Sequence, residues 1–128
     1  MLGYVIAAAL EATGARPLVV IGPTMSSVEV AFADAADFAV QAEPLGTADA
    51  VQAGLAALEP NVAEALVVYG DVPLLEADLL AALLDAHRTA GAALSLVSVV
   101  TLDPGRLGRL VRDDDGELTR IDADAILH

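Results

Sequence analysis

Short apolar runs recur along this chain, each leading into a polar turn and then into a segment rich in alanine and leucine, and that alternation leaves few folds open. The run at residues 17–21 ends at Gly22, a second occupies 38–41, and a third occupies 65–69. Between them, residues 1–13 read as a helix stopped by Gly14, and residues 48–58 as a helix broken by Pro60-Asn61. Residues 76–90 read as a helix with Leu79, Leu80, Leu83 and Leu84 on one face and Gly91 past its end. Ser26 and Glu29 fit a capping box that would open a further helix. Strands alternating with helices predict an α/β fold: a three-layer, Rossmann-like, mostly parallel sheet with helices on both faces. Residues 94–100 read as a long strand, and the turns Asp103-Pro104-Gly105 and Asp113-Asp114-Asp115-Gly116 predict antiparallel additions at the sheet edge. All 128 residues are expected to form one domain.

Hydrophobic residues make up 56% of the chain, enough to bury a core, while aromatics are only 3%, so small side chains are expected to let helix and sheet approach closely. The net charge of −13 comes from 19 acids against 6 basic residues, all of them arginine. Such a surface repels nucleic acid and anionic membranes, although a salt-adapted or GC-rich source would leave the same bias. Any phosphate-bearing ligand must then be held by a metal ion, by backbone N–H groups or by a few arginines. The absence of cysteine excludes disulfides and thiolate chemistry, and the two histidines, His87 and His128, are too few for a histidine metal cluster. The apolar start at residues 1–10 resembles a signal peptide's apolar region but lacks a preceding positive charge and is followed by Glu11, so a buried amphipathic helix is the preferred reading. No uncharged run approaches the ~20 residues of a membrane span. The chain therefore reads as soluble and cytoplasmic.

Two strand ends carry unusual residues, and open α/β sheets bind ligands at strand ends. Ala65-Leu66-Val67-Val68 leads into Tyr69-Gly70-Asp71-Val72-Pro73-Leu74, setting an aspartate on a tight turn. Phe38-Ala39-Val40 leads into Gln41-Ala42-Glu43-Pro44-Leu45-Gly46-Thr47, with a helix to follow. Each has a plain explanation as well: Asp71 as a turn cap before Pro73, Gln41 as a solvated side chain, and Gly46 with Thr47 as an ordinary loop-to-helix start whose hydroxyl caps the helix.

In this order the segments resemble the uridyltransferase domains of bacterial N-acetylglucosamine-1-phosphate uridyltransferases, a sugar nucleotidyltransferase family. There a glutamine, Leu-Gly-Thr and Tyr-Gly-Asp-Val-Pro line the nucleotide-sugar site. Met1-Leu2 with Val5-Ile6 is similar to that family's first long helix, and Gly108-Arg109-Leu110-Val111-Arg112-Asp113 to a later strand. The likeness spans nearly the whole chain and weakens after Ile121. It implies transfer of UMP from UTP to N-acetylglucosamine 1-phosphate, releasing pyrophosphate, with Mg²⁺ as cofactor. Asp71 would be the catalytic metal ligand, because Mg²⁺ takes hard oxygen ligands from one or two carboxylates together with phosphates and water. Gln41 would offer an acceptor and a donor to the N3–H and O4 of uracil. Gly46 would let backbone approach the base, Thr47 would open a helix whose N–H groups face the ligand, and Tyr69, Gly70 and Gly108 would contact the substrate by backbone. Arg109 fits an anion contact or a salt bridge to the acids at 113–115 equally well.

The family's Gly-rich loop with its arginine, and the Pro-Lys pair after it, find no match, and the chain has no lysine. Ala123 stands where the family has a sugar-contacting glutamate, flanked by Asp122 and Asp124. The family's downstream asparagines and its left-handed β-helix acetyltransferase domain find no match either. The chain thus resembles the middle of a catalytic domain, with weak or no turnover expected by itself. A relative for another sugar phosphate or nucleotide, or a non-catalytic nucleotide-sugar-binding remnant, are the alternatives. The expected partners are the two small-molecule substrates, with no nucleic acid and no membrane. Self-association and completion by a missing segment stay open on the sequence.

Overall fold

The computed structural model describes residues 1–72 and 74–122. The chain divides into two compact units, Met1–Leu96 and Val97–His128. In the first unit the order is α1 (Leu2–Thr13), β1 (Leu18–Ile21), α2 (Ser26–Phe32), β2 (Asp37–Val40), α3 (Thr47–Ala57) and α4 (Ala77–Ala90). β1 and β2 pair in parallel from Leu18 opposite Asp37 to Ile21 opposite Val40, with α2 in the crossover. Backbone bonds continue the ladder one residue past each end: Asp37 N donates to Pro17 O (2.9 Å) and Gln41 N to Ile21 O (2.8 Å).

Helix ends follow the glycines. Gly14 (φ 69°) and Gly91 (φ 59°) take the left-handed conformation just past α1 and α4, and the Gly14 N–H donates to Leu10 O. α3 lies on β1 and β2. A Cβ on Gly54 would stand 3.1 Å from Val20 Cγ2, so the close approach expected of small side chains is present at the residue with none. α1 packs against α4. The apolar residues buried most deeply are Val5, Ile6 and Ala8 of α1, Ile21 of β1, Ala36, and Leu80 and Leu84 of α4. Leu79, expected on the same face, is 44% exposed: the buried stripe is the pair four residues apart.

Several expectations are corrected. Residues 65–69 and 94–100 are not strands. Their composition suits a pleated, half-buried surface, but a strand also needs a hydrogen-bonded neighbour, and among the described residues neither run has one. Val67, Val99 and Val100 are exposed accordingly. The parallel sheet of the described residues therefore has two strands, and the three-layer arrangement is not formed by it. The capping box is also not made. α2 starts with Ser26 already helical, and Met25 holds the cap position after a turn closed by Met25 N to Gly22 O (3.1 Å).

The second unit contains β3 (Arg109–Arg112) and β4 (Leu118–Asp122), an antiparallel pair forming a sheet of its own, with a register shift between Val111 and Arg112. The turn is built as its sequence predicts. Asp113 Oδ1 accepts from the N–H groups of Asp115 (3.1 Å) and Glu117 (2.9 Å), and Gly116 supplies φ 85°. Ala123 and Asp124 lie outside the described residues; Asp122 ends β4. Among the described residues, no helix is long and apolar enough to cross a membrane.

Candidate active site

The 41–49 segment is a closed polar turn at a paired strand end. Gln41 leaves β2 half-buried, its backbone still bonded to β1. The chain then reverses through a turn in which Leu45 N donates to Glu43 O (2.9 Å). Gly46 holds φ 114° and ψ −178°, a conformation essentially reserved for glycine, and serves as the N-cap of α3. Nothing lies within 4 Å of where its Cβ would be, so the glycine is required by its backbone angles and leaves open space beside the turn. Thr47 is the first helical residue and makes no side-chain cap bond, which corrects its expected role; the Gly46 carbonyl accepts from Ala50 N (3.1 Å) instead.

The Gln41 amide is engaged from within the chain. Its Nε2 donates to Asp49 Oδ2 (2.6 Å) and to Gly46 O (3.3 Å). The expected two-sided reading of uracil by donor and acceptor is therefore corrected, because both N–H bonds point inward and Oε1 is the end left over. Asp49, in the first turn of α3, was not among the expected site residues. The available signal was an acid just inside a glycine-capped helix, where the positive end of the helix favours it.

The 69–72 segment is built differently. Tyr69 is 60% exposed, and Gly70 and Asp71 are exposed too. Weak turn bonds run from Val72 N to Tyr69 O and from Leu75 N to Val72 O, both 3.4 Å. A Cβ on Gly70 would stand 3.3 Å from Leu2 Cδ1, so this glycine lets the turn lie against the start of α1. Among the described residues, the Asp71 carboxylate makes neither a turn-capping hydrogen bond nor a salt bridge. With no partner among the described residues, its oxygens are hard donors of the kind Mg²⁺ accepts, and a single carboxylate fits an ion whose other ligands come from elsewhere. No group of three or more carboxylate or histidine ligands assembles among the described residues. No hydrogen bond or salt bridge joins Asp71 to the 41–49 turn among the described residues; the structure brings Gln41, Gly46 and Thr47 together and leaves Asp71 on its own turn.

Gly108 belongs to the second unit, where a Cβ would come within 2.8 Å of Ile121 Cγ2, so close packing on β4 accounts for the glycine. Among the described residues Arg109 makes no salt bridge to the acids at 113–115; its guanidinium donates to the carbonyls of Leu107 and Gly105. Two braces in the first unit had no sequence signal. Arg16 donates to Asp37 Oδ1 (2.9 Å) and to the carbonyls of Ala33, Asp34 and Ala36, closing the loop after α2. Arg88 pairs with Glu64 ahead of the 65–69 run, and its hydrogen bond, assisted by its charge and by His87, lowers the Glu64 carboxyl below the ordinary value against a smaller cost of desolvation. The same bond raises Arg88.

The chain is similar in sequence to known proteins. The family described as MobA-like NTP transferase domain matches residues 1–106. "Bifunctional protein GlmU" of Burkholderia multivorans is 44% identical over 123 residues, and the proteins of the same name from Geobacter metallireducens and Bacillus velezensis are 35% and 33% identical over 123 and 121 residues. Each alignment covers 94% of this chain and 26% of the relative, so the chain spans about a quarter of the length of these curated relatives. The resemblance read from the motifs is thereby borne out, and a family match extending from the first residue to position 106 establishes the kinship: this chain belongs to the MobA-like NTP transferase domain family.

Proposed function

We propose that this chain is the nucleotide-reading part of a uridylyltransferase that transfers UMP from UTP to N-acetylglucosamine 1-phosphate, and that residues 1–128 belong to one partial domain of the three-layer nucleotidyltransferase type. The observation that carries it is the Gln41 amide, its NH₂ tied to Asp49 and Gly46 so that its oxygen is the function left for a ligand, beside a glycine-capped turn at a strand end, which is how a protein would receive the N3–H of a uracil. In the reaction a phosphate oxygen of the sugar phosphate bonds to the α-phosphorus of UTP as the bond to the pyrophosphate oxygen breaks. Little covalent work is needed from the protein; positioning and charge neutralisation carry the rate. Gln41 and the Gly46 backbone select and seat the base, Thr47 opens α3 toward the ligand, and Tyr69 and Gly70 place the turn that presents Asp71. Asp71 would hold Mg²⁺, which when bound neutralises the phosphates that this acidic chain otherwise repels.

With no lysine in these 128 residues, the isolated chain is expected to bind UTP with Mg²⁺ and to turn over slowly or not at all. Calorimetric titration with UTP, alongside a pyrophosphate-release assay with UTP, Mg²⁺ and N-acetylglucosamine 1-phosphate, tests both halves. Absence of UTP binding removes the reading. Faster release with another sugar phosphate or nucleotide reassigns the substrate, and robust release by this chain alone overturns the expected slowness.

A further inference from the structure

We infer that Asp49 is a positioning residue that decides which end of the Gln41 amide meets a bound base, and so sets preference for uracil over cytosine; this rests on the uridylyl reading above. A carboxylate and a backbone carbonyl are acceptors only. Asp49 Oδ2 and Gly46 O both lie against the same end of the Gln41 side chain, at 2.6 and 3.3 Å, so that end must be the NH₂ group. A flipped amide would press Oε1 against a carboxylate oxygen at the same 2.6 Å, with like partial charges and no proton between them. The orientation thus follows from the chemistry of the two partners.

With both N–H bonds consumed, the one function Gln41 has left for a ligand is a carbonyl oxygen. Uracil carries a proton on N3 and can donate to it; cytosine has a lone pair on N3 and is repelled. A glutamine free to turn its amide would accommodate either base. Asp49 removes that freedom, and its own place is secured twice: by the first turn of α3, where the N-terminal dipole favours an anion, and by partial burial beside Gln41. Gly46 contributes through its backbone, since the conformation that caps α3 also fixes the carbonyl that takes the second N–H.

Equilibrium binding of UTP and of CTP, each with Mg²⁺, is to be measured for the wild-type chain, Asp49→Ala and Asp49→Asn. The ratio of the two affinities is expected to fall by roughly tenfold in Asp49→Ala, the worth of one oriented hydrogen bond. Asp49→Asn keeps an acceptor oxygen and is expected to retain most of the ratio, which a general loss of structure would not do. A wild-type chain without preference for UTP overturns the uridylyl reading and this inference with it. A wild-type preference that survives intact in Asp49→Ala overturns the inference alone. Should Asp49→Ala fail to fold, the Gln41 side-chain NH₂ protons of the wild-type chain decide by nuclear magnetic resonance: protection from solvent exchange supports the lock, and exchange at the rate of a solvated glutamine overturns it.

Discussion

The two turns of the first unit carry comparable chemistry on unequal foundations. The 41–49 turn leaves a strand paired with its neighbour, its glutamine is tied at two points, and its glycine holds an angle that other residues avoid. The 69–72 turn follows a run with no ladder partner among the described residues and presents an exposed aspartate on two weak backbone bonds. A group that must discriminate between two bases needs a fixed orientation, because a wrong rotamer costs the distinction itself. A group that neutralises phosphate through a metal needs mainly an available oxygen, since ligand and water complete the coordination. The selective half of the proposed chemistry is thus preorganised, and the electrostatic half is left accessible.

The largest expected effect falls on the core of the first unit. Leu80 is 2% exposed on α4, the helix that packs on α1 and follows the 69–72 turn. Leu80→Ala is expected to cost about 2–5 kcal/mol in denaturant unfolding. A loss well below that range would mean that Leu80 does not anchor α4, and with it the chain that follows the 69–72 turn. Gly46→Val comes next and acts on one turn alone. A β-branched residue at φ 114° is strained by about 1–3 kcal/mol, and relief of that strain would unseat the Gly46 carbonyl from Gln41. Its signature is loss of protection at the Gln41 NH₂ with the 69–72 amides unchanged; equal effects on both turns would erase the contrast between them.

The same contrast explains what was legible in the sequence. Helix ends marked by Gly14 and Gly91 and the turn at 113–116 were readable because glycine and aspartate act locally, on their own backbone. The parallel pair was readable because its partners lie close along the chain. Residues 65–69 misled, since an apolar run states that it could pair without stating with what. At the candidate site, the motif singled out Gln41 for attention, but the direction of its amide was not legible. That direction depends on Asp49, eight residues away and brought close by the reversal at Gly46. Gly108 is a different case, a glycine in a suggestive motif that packing on Ile121 requires whether or not a ligand meets its backbone.

Asp71→Asn sharpens the comparison from the electrostatic side. Because Asp71 is exposed and makes no bond to the protein among the described residues, its replacement is expected to shift stability by no more than about 0.5 kcal/mol. UTP affinity in the presence of Mg²⁺ is expected to fall about tenfold, one charge-assisted contact, with affinity in its absence little changed. Thermal unfolding and paired titrations check the two halves. A marked loss of stability would show that the carboxylate is structural.

The smallest expected effect concerns what secures the 65–69 run in place of a ladder. Arg88 of α4 grips Glu64 just ahead of it, and that pair is exposed, so it is weak and screened by salt. The bond lowers the Glu64 carboxyl, and the sign follows: a depressed folded-state value means the contribution is fully present above the ordinary carboxylate range and is lost as pH falls through the folded-state value. Acidification from neutral pH into that range is therefore expected to raise the backbone mobility of residues 66–69, read by nuclear magnetic resonance relaxation, before that of residues 37–41, which are tied to β1 through the amides of Asp37 and Gln41. Arg88→Ala should produce the same ordering at neutral pH and remove the acid dependence of residues 66–69. Equal loosening of both segments in acid would place the anchor elsewhere, and the 69–72 turn would then owe its position to Gly70 lying against Leu2 rather than to a charge.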